Sequence, residues 1–169
     1  MLEHVRKILE GQFEAGLCML DECIRRCPPE QWDGRIAKYP FWHVAYHTLC
    51  FVDVYLSRRD EEWKPQVGEG GMHPLGRTEL DEEYPSRSFE QQELLDYLAF
   101  CRRKLGDALG TETNESLQGG SGFAHLPISR MELHVYNIRH IQHHTGQLSA
   151  FVRKAGVNTR WVKTGWRER

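Results

Sequence analysis

Residues 139–148 read Arg139-His140-Ile141-Gln142-His143-His144-Thr145-Gly146-Gln147-Leu148, and they hold three of the nine histidines of the chain. His140 and His144 are four residues apart, so on an α-helix their imidazoles lie on one face about one turn apart. Two neutral imidazoles at this spacing can bind one transition-metal ion. The segment therefore predicts a helix that carries part of a metal site.

A second pair of histidines, His43 and His47, has the same spacing far upstream. It lies on a helix predicted from about Pro40 to Arg59, opposite an apolar stripe. A helix that is apolar on two sides is buried between neighbours, so these imidazoles are expected to face the interior or a cavity. His47, in the middle of the helix, is the best candidate for a third ligand. His43 is the alternative third ligand, or it contacts the site without binding the ion.

Three imidazoles bind divalent ions at about 2.0–2.1 Å and leave positions open for water or substrate, as catalytic sites do. Such a set accepts zinc, nickel, iron and copper, so the residues alone do not select the ion. Gln147 and Asn137 flank the pair at helical spacing, where an amide either holds the second nitrogen of a ligand or bonds backbone and solvent. His143 is expected at a rim or on the surface. The other histidines, His4, His73, His125 and His134, stand outside the pattern, and surface positions are expected for His73 and His125.

Hydrophobic periodicity predicts an all-α four-helix bundle, with one domain over residues 1–156 and a tail over 157–169. The first helix is predicted from Leu2 to Cys27, and the third and fourth begin at the capping boxes Ser88-x-x-Gln91 and Ser129-x-x-Glu132. The fourth ends at Gly156, and its inward stripe is predicted as Leu133, Asn137, His140, His144, Gln147 and Phe151. Irregular segments are predicted over residues 60–87 and 110–126. The first of these either covers a pocket or is a surface excursion.

The composition is that of an ordinary globular domain, with 40% apolar and 27% charged residues. A net charge of −2 argues against a nucleic-acid-binding protein, and no apolar run is long enough for a membrane span. The five cysteines form no C-x-x-C pair, which favours free, buried thiols in a reducing cytoplasm. The first residues lack the features of a signal peptide.

Two segments of the chain resemble the DinB-like (DinB/YfiT) superfamily. The run from His140 to Leu148 resembles the motif of its last helix, and Val44-Ala45-Tyr46-His47-Thr48-Leu49 resembles the motif of its second helix, which has a single ligand histidine. The resemblance implies a four-helix bundle with up-down-down-up topology. It also implies a divalent metal, typically zinc or nickel, bound by His47, His140 and His144, and frequent homodimers.

Known members of that superfamily include transferases and isomerases that use low-molecular-weight thiols such as bacillithiol or mycothiol. The resemblance therefore implies a metal-dependent thiol S-transferase that acts on a small molecule. A metal-dependent hydrolase and a metal-binding or stress-response protein without turnover are the alternatives, and an ordinary bundle with incidental histidines is a third. The sequence contains no Ser-His-Asp or Cys-His motif that would supply a competing nucleophile.

Overall fold

Four long helices and one short helix make up most of the computed structural model, which describes residues 1–167. They are α1 (Leu2–Arg26), α2 (Phe41–Leu56), α3 (Gln91–Thr111), α4 (Asn114–Gln118) and α5 (Arg130–Lys154). A two-stranded antiparallel hairpin, β1 (Arg35–Ile36) and β2 (Tyr39–Pro40), leads into α2, with Ile36 opposite Tyr39. The predicted all-α four-helix bundle is confirmed, and α4 is an addition within a segment that was predicted to be irregular.

Helix α1 runs antiparallel to α3. The amide of Gln91, at the start of α3, donates to the carbonyl oxygen of Ile24 at the end of α1 over 2.7 Å. At the opposite end, the Arg6 guanidinium donates to the carbonyl oxygen of Glu112, which directly follows α3. Helix α1 also packs on α5, while its contact with α2 is slight, so these two helices are diagonal partners in the bundle.

Helix α2 runs parallel to α3 and antiparallel to α5. Lys104, in the second half of α3, donates to the carboxylate of Asp53, in the second half of α2, at 2.6 Å. Phe41, at the start of α2, lies against Phe151, near the end of α5, with ring centroids 5.8 Å apart. Together these contacts give the up-down-down-up order, which confirms the topology that the resemblance implied.

Helix α2 ends three residues earlier than predicted, at Leu56. The guanidinium of Arg130, at the start of α5, donates to the carbonyl oxygens of Tyr55 at 3.3 Å and of Ser57 at 2.8 Å. These bonds satisfy carbonyl groups that have no partner at a helix end. The terminus is therefore fixed by a residue 73 positions away in sequence, which local propensity cannot reveal.

The two predicted capping boxes have different outcomes. At α5, the Ser129 hydroxyl accepts from the amide of Glu132 at 3.2 Å, and the Glu132 carboxylate accepts from the amide of Ser129 at 3.0 Å, so this box is confirmed. At α3 the prediction from Ser88 was wrong. Instead, the backbone amide of Glu90 donates to the carboxylate of Glu93 at 2.8 Å. The side chain of Gln91 does not take part in a cap, because it bonds to the end of α1.

The buried stripe of α5 contains Leu133 and Asn137, as predicted. From His140 onwards it differs from the prediction. Its buried apolar residues are Leu133, Ile141, Leu148 and Val152. Ile141 packs over Gly16 of α1, where an added Cβ would lie 3.0 Å from the Ile141 Cγ2 atom. Because α5 contacts α1 and α2 at once, Ile141 takes the face towards α1, and the half-buried His140 and His144 turn towards α2.

Residues 157–167 extend along α1. The amide of Gly165 donates to the carbonyl oxygen of Gly11 at 2.8 Å, and Arg160 pairs with Glu22 at 3.0 Å. Residues 168–169 of the predicted tail lie outside the described part of the chain. Over residues 1–167, no helix combines the length and apolar character that crossing a bilayer requires.

Candidate metal centre

Three histidines from two helices converge between α2 and α5. The Nε2 atoms of His47 and His140 are 3.2 Å apart, and one ring nitrogen from each of His47, His140 and His144 lies within 4.8 Å of the others. Metal–nitrogen bonds of about 2.0–2.1 Å at tetrahedral or octahedral angles place two ligand nitrogens roughly 2.9–3.4 Å apart. The separation between His47 and His140 is therefore that of two ligands of one ion.

Burial keeps these imidazoles neutral. Burial is the largest cause that lowers the pKa of His47 to about 4, and the neighbouring His144 and His43 lower it further. Burial also lowers the pKa of His140 to about 3, with further contributions from His144 and His47. Since a metal ion binds the unprotonated nitrogen, these groups are ready to act as ligands at neutral pH.

The second nitrogens of His144 and His140 have different surroundings. Nδ1 of His144 lies 2.8 Å from Oε1 of Gln147, which assigns a proton to Nδ1 and leaves the Nε2 lone pair free. This is the role that the helical spacing suggested for an amide. Nδ1 of His140 is buried without a hydrogen-bond partner among residues 1–167, and the same holds for both amide atoms of Asn137. For Asn137, neither the contact with a ligand histidine nor a bond to the backbone occurs among the described residues.

A cavity of about 410 Å³ opens beside the cluster. His47 and His144 line one part of it, and the segment between α2 and α3 lines another through Glu79, Leu80 and Pro85. The pocket-covering alternative for residues 60–87 is thus the one that the structure favours. Its volume is in the range of sites for small molecules.

The other histidines of the two motifs take different positions. His43 also lines the cavity, is 7% exposed, and has no hydrogen-bond partner at Nδ1 within residues 1–167. It is not one of the three clustered nitrogens. His143 is exposed beside His144, with ring centroids 4.9 Å apart, as expected for a rim residue. His125 is exposed, as expected.

His73 is completely buried, so its predicted surface position was wrong. Its Nδ1 accepts from the amide of Gln66 at 3.1 Å, which leaves the proton on Nε2. Nε2 then donates to the hydroxyl of Tyr97 at 3.0 Å, and that hydroxyl donates to Asp53 at 3.0 Å. This network attaches the segment between α2 and α3 to the bundle. The signal was absent from the sequence because its partners lie on two distant helices.

Cys50 lies 3.5 Å from the same Nε2 atom and lines the cavity. Because Nε2 of His73 carries a proton, it cannot accept one from the thiol. Burial, followed by the nearby Asp53 carboxylate, raises the pKa of Cys50 to about 12. The arrangement therefore does not generate a thiolate nucleophile. All five cysteines are free and buried, as predicted.

The chain matches a known protein family. A model of the DinB family matches residues 19–169, a range that includes the three clustered histidines. No curated protein and no solved structure matches the chain. On the basis of this match over nearly the whole chain, the protein belongs to the DinB family.

Proposed function

We propose that this protein binds a divalent transition-metal ion, zinc or nickel, through His47, His140 and His144, and that it is a metal-dependent S-transferase of a low-molecular-weight thiol. The observation that carries the proposal is the 3.2 Å separation of the His47 and His140 Nε2 atoms, with a nitrogen of His144 within 4.8 Å of both. Three neutral imidazoles without a carboxylate are a suitable donor set for these ions.

A bound ion of this kind supplies Lewis acidity, which favours the thiolate form of a coordinating thiol. The residues of the chain perform the other tasks. Gln147 holds the His144 ring by its Nδ1 proton, so that Nε2 faces the centre. The half-buried position of the cluster leaves access from the cavity through His47 and His144.

The family resemblance is the basis for a thiol as substrate. The size of the cavity suits a small molecule. Aromatic and apolar side chains, including those of Phe51 and Val44, cover much of its surface. Such walls bind the uncharged part of a small molecule and exclude water. We further propose a homodimer in the cytoplasm, where a reducing environment suits the five free thiols.

The metal half of the proposal is tested by elemental analysis of protein purified without a histidine tag. About one zinc or nickel ion per chain is expected. His47→Ala is expected to lose the ion, whereas His43→Ala is expected to retain most of it, since His43 lies outside the cluster. Loss in His43→Ala with retention in His47→Ala would exchange the two roles.

The thiol half is tested by measuring S-conjugation of a model electrophile with a panel of small thiols. We expect a rate that requires both the metal and one thiol, and that disappears in His140→Ala. A metal-containing protein that gives no such rate with any thiol would instead be a binding protein without this activity.

A further inference from the structure

The cavity beside the metal centre has an acidic part. Three carboxylates line it, those of Glu79, Glu82 and Glu83, and the described lining contains no lysine or arginine. A cavity lined by charges of one sign attracts ligand groups of the opposite sign.

Glu79 is a buried carboxylate without a cation. It is 6% exposed and accepts from the amide of Leu75 at 3.1 Å, and from the amide and hydroxyl of Ser86 at 2.9 and 2.5 Å. Burial opposes its ionisation, but these hydrogen bonds outweigh burial and lower its pKa. No ion pair with Glu79 occurs within residues 1–167, so its negative charge is solvated by hydrogen bonds alone.

The nearby cations are already paired. Lys38 forms an ion pair with Glu83, which lines the cavity. Arg87 binds Glu93 at 2.8 Å and lies over the ring of Phe89 at 4.2 Å. Glu79 and the exposed Glu82 therefore remain as the uncompensated charges of the cavity.

Two buried polar atoms on α2 complete this part of the cavity. Nδ1 of His43, in a residue that is 7% exposed, has no hydrogen-bond partner among the described residues, and the hydroxyl of Tyr46, in a residue that is 4% exposed, contacts the thiol of Cys50. They lie one helical turn apart and both line the cavity. A buried polar atom without a partner is costly, and a ligand that bonds to it removes that cost.

The ring of His43 is surrounded by aromatic side chains. Tyr39 and Tyr84 place their rings 4.9 and 5.0 Å from it. Aromatic faces add to the attraction of a cation. A protonated amine has three N–H donors and a positive charge, and it therefore matches the carboxylate of Glu79, the hydroxyl of Tyr46 and Nδ1 of His43.

We propose that Glu79, Tyr46 and His43 form a subsite for a protonated amine, so that the thiol used by this protein is an aminothiol and not an acidic thiol. The thiol part rests on the proposed function, whereas the amine subsite does not. An ion held by His47, His140 and His144 would bring positive charge to one part of the cavity, opposite the carboxylates, and a ligand with a sulfur end and an ammonium end would complement that polarity.

The test is calorimetric binding to the zinc-loaded protein at pH 7 with two matched pairs of probes. The thiol pair is cysteamine and 2-mercaptoethanol, and the sulfur-free pair is 2-phenylethylamine and 2-phenylethanol. In each pair we expect the amine to bind about tenfold more tightly, as a charge-assisted hydrogen bond in a buried site gives. Glu79→Gln is expected to remove most of that preference. Glu69→Gln, an exposed carboxylate of the same segment, is the matched control and is expected to keep it.

Tyr46→Phe provides a second variant that keeps the ring and removes the hydroxyl, should Glu79→Gln disturb the segment. It is expected to reduce the preference about threefold to fivefold. Equal binding of the two members of each pair, an unchanged preference in both variants, or no binding of any probe overturns the amine subsite. If neither thiol binds but 2-phenylethylamine keeps a preference that depends on Glu79, the amine subsite stands and the thiol transferase is wrong.

Discussion

Helix α5 contributes histidines to two side-chain clusters, of which only the first contains a carboxylate. In the first, His134 is fully buried and its Nε2 lies 2.9 Å from Oε1 of Glu112, which also accepts from Arg130 at 2.8 Å. In the second, His140 and His144 meet His47, and no carboxylate of residues 1–167 joins them. The carboxylate completes the first cluster, while the second leaves ring nitrogens directed at one another. Similar residues on one helix thus give a structural contact in one place and a set of candidate metal ligands in the other.

A substitution is therefore expected to have a different energetic effect in each cluster. Removing one partner of a buried, paired group leaves an uncompensated charge and destabilises the fold. Removing one imidazole from the second cluster leaves no buried charge without its counter-ion, because the groups around it are neutral imidazoles and the amide of Gln147. Substitutions in the first cluster should therefore change stability, and substitutions in the second should change metal binding.

The largest effect is expected for His140→Ala and His144→Ala. Each should lower the retained metal from about one ion per chain to below about one-tenth, since two imidazoles do not complete the site. Elemental analysis of dialysed, untagged protein measures this. The control is His143→Ala, an exposed neighbour, which should retain the ion. Parental metal content in both ligand variants would show that the three clustered nitrogens are not the site.

The next effect is on stability. Glu112→Gln should lower the free energy of unfolding by about 3–5 kcal/mol, because it leaves Arg130 as a buried cation without its carboxylate. Urea unfolding measures the change, and the metal content should stay at the parental value. Glu115→Gln, an exposed carboxylate on α4, should change stability by less than about 0.5 kcal/mol. Equal stability of the two variants would mean that the first cluster is not stabilising.

Low pH should reduce the free energy of unfolding through the first cluster. Burial opposes ionisation of Glu112, but hydrogen bonds from His134, Ser116 and Arg130 lower its pKa from 4.5 to about 2. A depressed carboxylate pKa stabilises the fold fully above pH 4.5, and this stabilisation is lost as the pH falls towards 2. The loss should be on the order of 3 kcal/mol. Unfolding curves between pH 6 and pH 2.5 measure it, and the dependence should be weaker in Glu112→Gln. An identical slope in that variant would assign the effect to other carboxylates.

The smallest effect is expected for Gln147→Ala. Without the 2.8 Å contact to Nδ1 of His144, the ring loses its fixed tautomer, and zinc affinity should fall about tenfold. Competition with a chromophoric chelator measures the affinity. Gln142→Ala removes the same kind of amide from the same helix outside the cluster and should leave the affinity unchanged. A loss that is equal in both variants would point to a general effect on α5.

The accuracy of the sequence predictions followed the range of the interactions involved. The cap of α5 at Ser129 was predictable because both of its partners lie within one turn. The cap of α3 was not, because Gln91 bonds to the end of α1, 67 residues away. The burial of His73 was missed for the same reason, since its partner Tyr97 lies on another helix.

The candidate site divides in a similar way. The spacing of His140 and His144 determined that they share a face of one helix, whatever the rest of the chain does. The packing of Ile141 on Gly16 of α1 decided which neighbouring helix that face meets. It turned the histidines towards α2. The acidic part of the cavity had no sequence signal, because Glu79 is one of many glutamates until its segment folds over α2.

The sequence by itself determined the presence of the four long helices and the pairing of the imidazoles on them, because these depend on periodicities within one or two turns. Only the tertiary structure decided that the Nε2 atom of His47 comes within 3.2 Å of that of His140, 93 residues away. It also decided that Glu79 and Tyr46 share a cavity with His47 and His144 of the histidine cluster. The physical reason is that a helix fixes the directions of its own side chains, while the distance between two helices depends on every residue packed between them.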